Sequence, residues 1–203
     1  MPIETHFAVE LPSWVADEAQ SCEYLPTLDE RMELVNRLAD HNFRDGGGGP
    51  FAAIVVERET GRLISAGVNR VLASSLSVTH AEVVALSLAQ RRRGTWDLGA
   101  RGAPPTELVV NWRPCVQCFG AVLWSGVSHL VIPDDSDEVE RLTGFDEGPI
   151  VTDWIEQFER RGITVTKGIG LPESLAVFVE YAEWVSRGHA VVYNARGTGV
   201  NVT

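Results

Sequence analysis

Cysteine is sparse in this chain: three in 203 residues, two of them close together as Cys115 and Cys118. Three thiols build no disulfide framework, which excludes the small disulfide-stapled class and points to a reducing cytoplasm. Positive charge is short as well, with 17 Lys and Arg against 28 Asp and Glu and a formal net charge of −11. Such a surface repels phosphate backbones, so a nucleic-acid partner is disfavoured. No stretch approaches the ~20 apolar residues of a membrane span, and no basic segment followed by an apolar run opens the chain. No internal repeat is present. What remains is an ordinary globular composition, 44% apolar and 22% charged, over a length that suits one domain with a substantial core.

Two short stretches carry the chemistry, His80-Ala81-Glu82 and Pro114-Cys115-Val116-Gln117-Cys118. A neutral imidazole and two thiolates are donors that zinc accepts, and three protein ligands leave a fourth tetrahedral position for water. Glu82 is placed beside that position as an acid–base group without being a ligand. A Cys-x-x-Cys can also be a dithiol redox pair or half of a structural zinc site. The remaining cysteine, Cys22, lies far upstream, and His6, His41, His129 and His189 show no paired spacing, so no fourth ligand is at hand. His-x-Glu upstream and Pro directly before the first Cys favour catalytic zinc. The expected reaction is hydrolytic replacement of an amino group on a heterocycle, with Glu82 carrying the proton.

Residues 1–26 read as an N-terminal arm, with a short helix after Pro12. Thr27 and Glu30 form a capping-box pattern ahead of Leu28, Met32, Val35, Leu38 and Ala39 at helical spacing. Four glycines before Pro50 invite comparison with a phosphate cradle. No Gly-Lys-Ser/Thr follows and the next segment is a strand, so they predict a turn passing close to a pocket. Residues 51–56 and 63–68 read as an antiparallel hairpin with Asn69 on the bend after it. Thr79 is expected to cap a second helix that ends in a solvated Arg91-Arg92-Arg93. A strand over 108–112, a helix from Pro114 and a parallel strand over 128–132 follow. Residues 134–140 read as an acidic exposed segment. Then come a helix over 152–161, a strand over 162–166, a helix over 172–187 and a disordered tail over 194–203. The order predicts an α/β domain over 27–193, three layers (α/β/α) around a central mixed five-stranded sheet. Both ligand groups fall at predicted helix N-termini, where the dipole favours thiolate.

The motifs Gly49-Pro-Phe-Ala-Ala-Ile-Val-Val, Gly67-Val-Asn-Arg, Thr79-His-Ala-Glu-Val, Pro114-Cys-Val-Gln-Cys-Phe-Gly-Ala-Val-Leu-Trp and Gly144-Phe-Asp-Glu together are informative. They resemble the cytidine-deaminase-like superfamily, and within it the guanine and guanosine deaminase branch. The resemblance runs from about Leu28 to Asp153 and more loosely to Tyr193. It implies that fold and a zinc-dependent deaminase converting guanine to xanthine and ammonia, with zinc on His80, Cys115 and Cys118 and Glu82 as the catalytic residue. It further implies that Asn69 hydrogen-bonds the base, that Phe51 and Trp124 wall its pocket, and that Ala81 contacts it. The position matching Glu147 receives the purine's N–H groups, and a carboxylate can accept adjacent donors that cytosine does not offer. The C-terminal segment 172–193, through Tyr193, is implied to close the pocket of a neighbouring subunit in a homodimer with exchanged C-terminal segments. The chain departs from the family at Ala52, Thr79 and Arg113, where Gly, Ala and an acidic residue are usual. These departures surround the ligands without touching them. They leave open cytosine, a triazine, a modified purine or a nucleoside as substrate, whereas tRNA adenosine would need a basic groove.

Overall fold

The computed structural model describes residues 3–194; apart from Asn194, the expected tail lies outside the described residues. Five strands form one sheet: β1 (Ala52–Glu57), β2 (Leu63–Val68), β3 (Thr106–Val110), β4 (His129–Val131) and β5 (Thr164–Thr166). Their spatial order is β2-β1-β3-β4-β5. β1 pairs antiparallel with both β2 and β3, while β3, β4 and β5 run parallel, so the sheet is mixed as expected. Parallel neighbours need crossovers, supplied by α5 (Val116–Ser125) after β3 and by α6 (Glu138–Thr143) and α7 (Trp154–Glu159) after β4.

Every residue of β1 is buried, as in a strand covered on both faces. Alternate side chains leave opposite faces of a strand. Ile54 and Val56 accordingly meet Met32, Leu38 and Phe43 of α2 (Leu28–Arg44) and Tyr181 of α8 (Leu171–Ser186). Ala53 and Val55 meet Ala85 and Leu86 of α4 (Ala81–Arg93) and Phe158 of α7 on the other side. These two cores are the interfaces between the layers of a three-layer α/β/α arrangement, one on each face of the sheet. The N-terminal arm joins the first of them: α1 (Ser13–Gln20) buries Val15 there, and Trp14 stacks on His41 with ring centroids 3.9 Å apart.

The capping box forms as read, with Glu30 N donating to Thr27 Oγ1 at 3.2 Å and Thr27 N donating to the Glu30 carboxylate at 2.9 Å. Two short helices were not expected. α3 (Val71–Ser74) is one turn after Asn69, and α6 occupies part of the acidic segment. At the start of β3, away from its end that leads to Pro114, Arg31 pairs with Glu107 at 2.8 Å with both side chains at most 4% exposed. The second Glu107 oxygen meets His129 Nδ1 at 2.6 Å, which ties α2, β3 and β4 together in the interior.

Candidate active site

The end of β3 and the N-terminal ends of α4 and α5 meet at one place. α4 begins at Ala81 with His80 as its N-cap residue in an extended conformation, φ −65° and ψ 157°. Thr79, expected in that role, instead donates its hydroxyl to Leu76 O at 2.7 Å and braces the preceding turn. The cap shifts by one residue, and His80 makes no capping bond. Its imidazole is thereby left to face α5. There Cys115 is the N-cap, and its Sγ receives the N–H of Cys118 at 3.5 Å.

The three donor atoms of His80, Cys115 and Cys118 all lie within 4.8 Å of one another. Zinc bonds of ~2.3 Å to sulfur and ~2.0 Å to nitrogen at a tetrahedral angle put those two atoms about 3.5 Å apart. Cys115 Sγ and His80 Nδ1 are separated by 3.4 Å. That pair is at the spacing zinc requires, and one imidazole with two thiols is a donor set that suits zinc. Among the described residues no fourth His, Cys, Asp or Glu completes the group, which fits a catalytic rather than a closed site.

The electrostatics of these groups are linked. A hydrogen bond from Cys118 first, and then the His80 imidazole, outweigh burial and lower the Cys115 thiol to about 4. Burial alone would lower His80, but the Cys115 thiolate overrides it and raises the imidazole to about 9. Cys118 moves the other way, well above its ordinary value, because burial and the charges of Glu82 and Cys115 oppose a second thiolate. A divalent cation removes that opposition, which is the electrostatic reason two thiolates tolerate each other here. Glu82 is buried in the first turn of α4, and burial followed by the Cys115 charge raises its pKa above the ordinary carboxylate range.

His80 and Glu82 open into a cavity of about 390 Å³. Phe51, Asn69, Glu147 and Tyr193 line the same cavity, so the structure brings four of the expected substrate contacts together. Glu147 sits in the segment after α6, its carbonyl taking the N–H of Val116 at 3.0 Å, so it is anchored to the start of α5. Burial and the charges of Cys115 and Glu82 push its carboxyl well above the ordinary range. Ala81, the first residue of α4, is fully buried and is not among the residues that line the cavity. A wider groove of about 650 Å³ between α1 and β2 contains none of these residues, so size alone does not mark the site.

Trp124 is 80% exposed and does not line the cavity of its own chain. Cys118, Val122 and Ser125 are the buried residues of α5, and Trp124 lies two positions beyond Val122, about 200° further round the helix. Tyr193 lines the cavity of its own chain, because residues after α8 return across Phe145. The Tyr193 and Phe145 rings meet edge to face at 5.1 Å, and Gly49 N donates to Tyr193 Oη at 3.2 Å. Sequence reasoning gave no role to Trp112, Phe145, Gln117 or the Arg113 side chain, all of which line the cavity. Arg113 pairs with Asp137 at 3.0 Å and with Glu140, securing α6 beside Pro114 and the ligand Cys115.

Known proteins match this arrangement. A solved guanine deaminase from Nitrosomonas europaea is 43% identical, over 90% of this chain and all of that one, with a TM-score of 0.84. The protein NE0047, solved with 2,6-diaminopurine, is 45% identical over 93% of this chain and 97% of its own, with a TM-score of 0.83. A mutant of NE0047 solved with 8-azaguanine gives 44% identity over 89% and 98% of the chains, with a TM-score of 0.84. The guanine deaminase of Bacillus subtilis is 28% identical over 150 residues, 74% of this chain and 90% of that protein. Residues 26–133, which hold all three zinc-ligand positions and Glu82, match the cytidine and deoxycytidylate deaminase zinc-binding region, and the chain belongs to that family.

Proposed function

We propose that this protein is a zinc-dependent hydrolytic deaminase of an aminated purine base, converting guanine and water to xanthine and ammonia. One observation carries the reading: a carboxylate and an amide suited to a purine edge, Glu147 and Asn69, share a cavity with His80 and Glu82. The likeness to NE0047, solved with 8-azaguanine and with 2,6-diaminopurine, supports the purine assignment.

His80, Cys115 and Cys118 would hold zinc, which supplies Lewis-acid activation of water when bound. The protein's own groups do the rest. Phe51 offers a ring face beside the base, and Asn69 and Glu147 fix its edge by hydrogen bonds. Glu147 accepts ring N–H groups, so a purine with adjacent donors is held in one orientation. Glu82 takes one proton from the attacking water and gives it to the ring nitrogen, then takes the second from the hydroxyl left on the carbon and gives it to the departing amine, so that the carbonyl forms as ammonia leaves. A carboxyl raised by burial suits this shuttle, because its affinity for the proton moves toward that of the groups it serves. Tyr193 and Phe145 add aromatic surface to the cavity wall, which would displace water when the base is bound.

The reading includes a reducing, cytoplasmic setting in which the ligand thiols stay unoxidised, and a homodimer, which sedimentation would test. Ammonia release over guanine, guanosine, cytosine, adenine and ammeline, with zinc content measured in the same preparation, tests the substrate. Release from guanine well above the others is expected. Release from cytosine with none from guanine would replace the purine reading.

A further inference from the structure

Asn42, near the end of α2, is fully buried and lies outside the zinc centre and the cavity lining. Its amide nitrogen donates to two main-chain carbonyls at once, Gly49 O and Asn69 O, each at 3.0 Å. The opposite amide orientation would crowd three oxygens together, so the two acceptors dictate which way it points. Asn42 O in turn receives the N–H of Gly47 at 3.1 Å. One residue thus joins the helix end, the glycine run and the bend that presents Asn69.

The glycine run is shaped to this clamp. A Cβ at Gly48 would stand 2.4 Å from Asn69 O and 2.7 Å from Asn69 Oδ1. A Cβ at Gly49 would stand 2.8 Å from Tyr193 Oη. Neither glycine has a left-handed φ, so what these positions require is space and not an unusual backbone. Asn69 is 2% exposed, its N–H donates to Phe51 O at 3.0 Å, and its Oδ1 accepts from Val71 N at 3.2 Å. With that oxygen used by the main chain, the amide N–H groups are what Asn69 offers to a ligand and to the Tyr193 hydroxyl.

We infer that Asn42 is a positioning residue for substrate recognition: with Gly48 it fixes the Asn69 backbone and so the direction in which the Asn69 amide meets a purine acceptor. The inference rests on the guanine reading for the identity of the ligand, and on the hydrogen bonds alone for the clamp.

The test uses Asn42→Ala, Asn42→Ser, Gly48→Ala and a control, Asn36→Ala, with zinc content measured for each. Asn36 is buried on the same helix but accepts from the Ser174 hydroxyl at 3.0 Å, away from the glycine run. Turnover of guanine, the Kd of 8-azaguanine by calorimetry, and hydrogen exchange over residues 47–51 and 69–71 are read on the full chain. Asn42→Ala and Gly48→Ala are expected to raise KM and Kd about tenfold, with kcat within about threefold and zinc retained. Asn42→Ser keeps one donor and falls between them and wild type. Asn36→Ala lowers Tm and leaves KM alone. Zinc-loaded Asn42→Ala and Gly48→Ala with wild-type KM and Kd would overturn the inference, as would a fall in kcat alone. Should Asn42→Ala fail to fold, Gly48→Ala and Asn42→Ser decide it. If wild type neither binds 8-azaguanine nor deaminates guanine, the functional proposal fails instead. The clamp then stands or falls on whether Asn42→Ser loses exchange protection at those two segments.

Discussion

Glu82 and Cys115 show how much a single position is set by its neighbours. Glu82 is buried beside the ligand group, yet it supplies no donor atom to it. Replacing it by Gln keeps shape and removes the proton carrier, so Glu82→Gln should retain zinc by metal analysis while kcat falls about 10²- to 10⁴-fold. Wild-type turnover in that variant would refute the proton-shuttle role. Cys115 titrates near 4 and His80 near 9, so in metal-stripped protein the pair is thiolate and imidazolium between those limits. Thiolate absorbance should persist at pH 6 and vanish as pH falls through about 4. A thiol that deprotonates only above pH 8 would contradict the pairing. The ligands and Glu82 were legible in the sequence because zinc chemistry demands those residue types at close spacing. The exposure of Trp124 in its own chain was not legible because it depends on the turn of α5, and Trp112 and Phe145 were missed because aromatic residues read as core until the cavity between elements is known.

Elements deliver these residues, and their packing tolerates little change. β2 approaches α4 so closely that a Cβ on Gly67 would stand 2.5 Å from Ala85 N and 2.6 Å from Ala81 O. Gly67→Ala should therefore displace the first turn of α4, costing about 1–3 kcal/mol in denaturant unfolding and lowering zinc affinity and kcat together. A variant of normal stability and activity would show that the strand can retreat. The Arg31–Glu107 pair is different in kind, because it sits at the start of β3 and the site lies beyond its end. Glu107→Gln leaves a buried guanidinium without its charge partner, so unfolding free energy should drop by about 3–5 kcal/mol while zinc-loaded protein keeps its kcat. Burial alone would raise Glu107, but hydrogen bonds from His129 and Arg31 hold it below 4.5. Its contribution is complete above that value and is lost as pH falls through the lowered one, so Glu107→Gln should flatten the acid side of a stability–pH curve. At this scale the hairpin, the capping box and the succession of strands and helices along the chain followed from local patterns. α6 did not, because its partner Arg113 lies far away in sequence.

For the molecule as a whole, metal and fold are coupled. Chelation should abolish deaminase activity and lower Tm, and added zinc should restore both, as calorimetry with and without chelator would show. A Tm indifferent to chelator would mean the three donors do not share a bound ion. The layered architecture was legible from the alternation of helical and strand patterns, whereas the path of the final residues was not, since no periodicity records where a chain end comes to rest. That path sets an order of events. The metal donors are gathered from residues 80–118, whereas the cavity wall also draws on Phe51 and Tyr193, with Gly49 and Tyr193 bonded across 144 positions. Gradual denaturation should release bound 8-azaguanine before the ion, since a grip assembled from both halves of the polypeptide fails when either loosens.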